Sequence, residues 1–104
     1  MQREKIRGYL GFAIKGRKIL FGLDNIEEYR KDIYLIIIGN NLTEKNENKM
    51  IRLATTRKCA LIKLDENFGD IIDRPTCKLC AITDLNLSKG ILSLNEGIIF
   101  KGEI

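Results

Sequence analysis

The sequence predicts an α/β protein built on one central sheet with helices on both faces. Three observations predict it. Strand-like and helix-like segments alternate along the chain, the pattern of a sheet wrapped by helices. The run IYLIIIG, residues 33–39, is apolar almost without interruption, as a strand covered on both faces must be. The 104 residues are 44% hydrophobic and 31% charged, enough for one domain spanning 1–104 with one core, and too apolar for a disordered chain.

Taken in order, residues 3–15 place Ile6, Leu10, Ala13 and Ile14 on one face of a helix. Gly8 and Gly11 weaken that helix, and a glycine kept in a helix implies that something packs close to it. KILFG (18–22) is a short extended piece, and residues 25–32 form a short helix. In the second, Asp24 or Asn25 reads as the N-cap, with Glu27 or Glu28 completing a capping box. Gly22 before it allows a backbone conformation that other residues avoid. The strand at 33–39 follows. Thr43 then caps a helix with Met50, Leu53 and Ala54 as its apolar stripe and Arg57 and Lys58 in its last turn. CALIKL (59–64) is a second strand, ENFGDIID (66–73) a short helix, and CKLCAIT (77–83) a third main strand. Asp84 caps a last helix carrying Leu87, Ile91 and Leu94, and GIIFKG (97–102) is a terminal strand whose neighbour the sequence does not give. Ile36, Ile37, Leu61, Ile62, Leu79 and Ala81 are expected to be buried between the layers.

The net charge is +4, and its placement says more than its size. Residues 1–31 hold eight Lys/Arg against four Asp/Glu, while residues 32–104 hold ten of each. The whole excess therefore lies in the first third, which fits a footprint for phosphates; on charge alone a solvated basic face is the simpler reading, since surface Lys and Arg are common. Catalysis has little support. There is no histidine, no phosphate-loop signature, and no nucleophile elbow around Ser88 or Ser93. Asp65, Glu66, Asp70 and Asp73 read as a solvated acidic turn. CKLC has the spacing of a metal or redox pair, but on a strand Cys77 and Cys80 point to opposite faces, so neither a disulfide nor a shared metal is expected. The three cysteines read as reduced structural thiols, and no cofactor is implied. The charged N-terminus has no apolar signal core and no stretch is long enough to span a bilayer, so a cytoplasmic protein with no membrane contact is expected.

LGFAIKGRKILFG, residues 10–22, resembles the pattern Leu-Gly-x-Ala-x-[Arg/Lys]-x-x-Lys-x-x-x-Gly of the kink-turn-binding ribosomal protein superfamily, the large-subunit proteins seven-Ae and thirty-e and their bacterial relatives. LIIIGNN before a helix, NFGDII, and RPTCKLCAITD are similar to further segments of that family, in the same order, over about residues 5–92. The resemblance implies a three-layer α/β/α sandwich around a four-stranded mixed sheet. It also implies a non-catalytic protein that binds structured RNA, ribosomal or otherwise, with no small-molecule substrate. The family's Gly-x-Asn-Glu-x-x-Lys motif, which meets RNA at the start of the second helix, falls on Gly22, Asp24, Asn25 and Glu28. Only the glycine is kept, and Glu28 in place of lysine repels phosphate. On this reading Gly22, Asp24 and Asn25 face the RNA, Asn25 contacts a base, and Lys15, Arg17, Lys18, Arg30 and Arg74 supply phosphate contacts. The alternative is the same fold turned to protein–protein interaction without RNA.

Overall fold

The computed structural model describes residues 3–94 and 98–100. Within them helices and strands alternate as α1 (Arg3–Lys15), β1 (Ile19–Phe21), α2 (Leu23–Glu28), β2 (Leu35–Ile38), α3 (Glu44–Arg57), β3 (Ala60–Leu64), α4 (Phe68–Ile72), β4 (Leu79–Ile82), α5 (Leu85–Leu92) and β5 (Ile98–Phe100). The strands form one sheet in the order β1-β4-β2-β3-β5. β2 and β3 are parallel, and β4 runs antiparallel to both β1 and β2, so the first four strands make the expected mixed sheet. β5 extends it, pairing antiparallel with β3 in the register Ile62↔Phe100. This gives the terminal strand its neighbour; the remaining residues of the 97–102 segment lie outside the described ones.

Strand alternation divides the core between two helical layers. Leu35, Ile37, Ala60, Ile62, Leu64, Cys80 and Ile82 face α1, α4 and α5. Ile36, Ile38, Leu61, Leu79 and Ala81 face α2 and α3. The six residues expected between the layers are all buried. β2 is buried along its full length, which is why its sequence shows no polar alternation. The architecture is thus a three-layer α/β/α sandwich.

The caps of α3 and α5 follow the sequence. Thr43 accepts from the Asn46 N–H, and Asp84 accepts from the Leu87 N–H. The start of α2 differs from expectation. Gly22 is its N-cap and no side chain caps it. Gly22 leaves β1 at φ 87°, which begins the helix at Leu23 and places Asp24 and Asn25 inside its first turn. Asn25 then donates Nδ2 to the Phe21 carbonyl at 2.8 Å instead of capping. The helix also ends at Glu28, four residues earlier than expected. Arg57 of α3 holds the carbonyls of Tyr29 and Lys31, so that segment runs extended and Arg30 is not helical.

Two further expectations are corrected. Cys77 precedes β4 in irregular chain, so strand alternation does not separate it from Cys80; both contact the layer on the α1 side. Burial first, and the nearby Cys77 second, push the Cys80 thiol well above its ordinary value. At Gly8 and Gly11 no heavy atom beyond the helix's own local backbone lies within 4 Å of where a Cβ would stand, so no other element packs close to either. The close approaches fall elsewhere. A Cβ at Gly39 would sit 2.6 Å from the Phe68 nitrogen, and one at Gly69 would sit 2.5 Å from the Arg74 carbonyl oxygen. No helix among the described residues is long and apolar enough to cross a membrane.

Candidate nucleic-acid interface

β1, β2 and β3 run the same way, so the sheet has a carboxyl end, where these three strands stop, and an amino end, where they start. The residues singled out in the sequence divide between the two.

At the carboxyl end Gly22 turns the chain out of β1 into open space. Asp24 and Asn25 follow it, exposed. Arg74, on the loop between α4 and β4, lies over the Phe21 ring with its guanidinium carbon 4.6 Å from the centroid. That contact holds Arg74 against Phe21, the residue before Gly22. The neighbouring loops are knit together: Asn40 donates its N–H to the Glu66 carbonyl and its Nδ2 to the Asp65 carbonyl. Asp24, Asp65, Glu66, Asp70 and Asp73 lie at this end together with Arg74 and Lys78, and Asp73 is paired to Arg7 of α1. Glu28 is exposed in the last turn of α2, between the two ends, and its neighbour Glu27 is bridged to Lys49 at 3.1 Å.

Lys15, Arg17, Lys18 and Arg30 are at the other end. The last paired row there is Ile19, Ile82, Leu35 and Ala60, and the chain beyond it is basic. Lys15 ends α1, Arg17 and Lys18 come from the α1–β1 turn, Arg30 and Lys31 from the α2–β2 segment, and Lys58 from the α3–β3 turn; all six are exposed. Two acids accompany them, Asp32 and Asp84. Lys18 Nζ lies 3.0 Å from the Asp84 carboxylate. The Leu87 N–H, followed by Lys18, holds that carboxyl below its ordinary value. The sequence candidates therefore stand in two separate groups, one at each end of the sheet. From Lys18 to Gly22 the chain runs through β1, and at about 3.3 Å per residue the two lie roughly 13 Å apart along the sheet. Arg17 and Lys18 cannot meet the same phosphates as Gly22 and Asn25.

What the amino end offers is a row of cations across four neighbouring strands, about 14 Å wide at roughly 4.8 Å per strand. Backbone bonds fix the row: the Thr83 N–H to the Lys18 carbonyl and the Tyr34 N–H to the Ile82 carbonyl, both 2.9 Å. The Arg57 guanidinium ties the Arg30–Lys31 segment to the end of α3, next to Lys58. Lys58 as a partner of that segment was not named among the sequence candidates. Neither was Phe12, which is 68% exposed on α1. Its position two residues past Leu10, off the buried face, is the signal that marks it.

No protein-family model matches the chain, and no curated protein matches it. A solved structure of a protein with unknown function from Bacillus halodurans C is similar, with a TM-score of 0.72 at 15% sequence identity, over 86% of this chain and 94% of that one. The likeness is one of fold.

Proposed function

We propose that the chain is a non-catalytic RNA-binding domain that takes phosphates at the amino end of its parallel strands, through Lys15, Arg17, Lys18, Arg30, Lys31 and Lys58. One observation carries this: three separate chain turns bring six exposed cations to one end of the sheet, of which, among the described residues, Lys18 alone is paired to a carboxylate, that of Asp84. Backbone-scale neutralisation of phosphate needs this kind of spaced, outward-facing charge, and it needs no catalytic group. The resemblance to kink-turn-binding ribosomal proteins supports structured RNA as the partner. Gly22, Asp24, Asn25 and Arg74 form a separate surface, where Asp24 and the nearby Asp65 and Asp73 oppose phosphate. That acidity favours a second use of the carboxyl end, as a protein contact.

The test is a salt titration with a kink-turn RNA and a plain duplex. Affinity is expected to fall as salt rises, with a slope that drops by about 0.9 for each duplex phosphate contact removed. The double variant Arg17→Ala/Lys31→Ala is expected to bind more weakly with a shallower slope, and Glu28→Lys to change little. Strong tightening by Glu28→Lys with no response to the double variant would move RNA to the carboxyl end and overturn the amino-end assignment. No binding of either RNA at physiological salt would leave the protein-contact use.

A further inference from the structure

Phe12 and the surface around it are not used by the phosphate row. They belong to an open, almost wholly apolar groove of about 300 Å³ on the outer side of α1, lined by Lys5, Gly8, Tyr9 and Phe12. The groove has an aromatic wall and an aromatic floor. Phe12 is 68% exposed, and the Tyr9 ring is pressed against α5 at Gly90, where a Cβ would come within 2.6 Å of it. Gly8 and Gly11 have open space where a side chain would stand, so a flat group reaches the helix backbone between them. Charge flanks the groove. Lys5 is on its lining, and Lys15 lies about 4.5 Å further along the helix axis than Phe12, at roughly 1.5 Å per residue. Lys15 and Arg17 also begin the basic amino end, so groove and phosphate row form one continuous surface. Glu4 is the exposed acid on this helix, and Arg7 is taken up by Asp73.

We infer that this groove receives an unpaired nucleobase of the bound RNA, stacked on Phe12, while the phosphates on either side of that base meet Lys5 and Lys15. An exposed aromatic face beside cations is the device by which proteins hold single-stranded nucleic acid, because every base has a π-face to stack. This rests on the RNA-binding assignment above and narrows it: the preferred RNA has a single-stranded segment leading off a phosphate-rich duplex.

The experiment compares a blunt RNA duplex with the same duplex carrying a single-stranded uridine overhang, for the wild type, Phe12→Ala, Phe12→Tyr and Arg17→Ala/Lys31→Ala. The wild type is expected to prefer the overhang. Phe12→Ala is expected to lose that preference, weakening overhang binding by about 5-fold to 100-fold without changing the salt slope, since no phosphate contact is lost. Phe12→Tyr keeps the ring and is expected to keep the preference. Circular dichroism checks that the variants are folded. Equal binding of both RNAs by the wild type, with the double variant still weakening both, overturns the stacking site and leaves the RNA assignment intact. Binding of neither RNA removes both. A wild-type dimer in sedimentation that Phe12→Ala converts to monomer, with RNA binding unmoved, assigns the groove to a second copy and overturns the proposal.

Discussion

Three helices close with a residue in the left-handed backbone region, and none of the three residues is glycine. They are Arg17 after α1, Lys58 after α3 and Asp73 after α4, with φ of 55°, 57° and 57°. Each closing turn is fully hydrogen-bonded. The Lys18 N–H reaches the Ala13 carbonyl, the Cys59 N–H the Ala54 carbonyl, and the Arg74 N–H the Gly69 carbonyl. Glycine is the least strained residue at such a position, so a charged residue there keeps strain in exchange for its side chain. Two of the three are cations of the proposed phosphate row. Arg17→Gly and Lys58→Gly are therefore expected to leave stability unchanged or raise it by up to about 1 kcal/mol each, while weakening RNA binding. Chemical denaturation and RNA titration of the same variants check both halves. Asp84 works in a similarly local way. Its carboxyl is held below the ordinary value by the Leu87 N–H and by Lys18, so its contribution is present above the ordinary carboxylate pKa and is lost as pH falls through the lowered one. Asp84→Asn keeps a capping oxygen and removes the charge. Its melting temperature is expected to fall less between about pH 4 and pH 2 than that of the wild type, as thermal melts across that range would show.

At the level of elements, the glycines differ in how closely they are packed. Gly11 and Gly69 both lie in helices, yet their surroundings are opposite. Gly69, the second residue of α4, lies under the loop that leads to β4, and the carbonyls of Arg74, Pro75 and Cys77 close over it. Gly11 lies on the open face of α1. Gly69→Ala is expected to cost about 1–3 kcal/mol or more, because backbone rather than a mobile side chain must yield. Gly11→Ala is expected to stabilise by about 1 kcal/mol, the ordinary helix preference for alanine. Denaturant midpoints of the two variants should move in opposite directions. Elements were legible in the sequence where local rules fix them. Apolar runs gave β2, β3 and β4, and oxygen-bearing side chains gave the caps of α3 and α5. The boundaries of α2 were not legible, because a guanidinium from α3 sets where that helix stops.

Across the whole molecule, Lys15, Arg17, Lys18, Arg30, Lys31 and Lys58 gather where the parallel strands start, while the acidic residues Asp24, Asp65 and Asp73 lie where they stop. Sequence alone determined that an excess of positive charge lies in the first third and that the central strands are covered on both faces. These properties depend on composition and short-range periodicity, which folding does not rearrange. Tertiary structure alone decided which charges stand together. Lys18 and Gly22 are near neighbours in the chain but lie at opposite ends of the sheet, because an extended strand between them converts a short sequence separation into the full length of that strand. Lys31 and Lys58 are far apart in the chain but adjacent in the fold, because β2 and β3 start side by side and Arg57 ties their approaches together. Surface charge has no periodic signature of its own. Its grouping follows strand order, which is set by packing of the buried faces and not by the charged residues themselves.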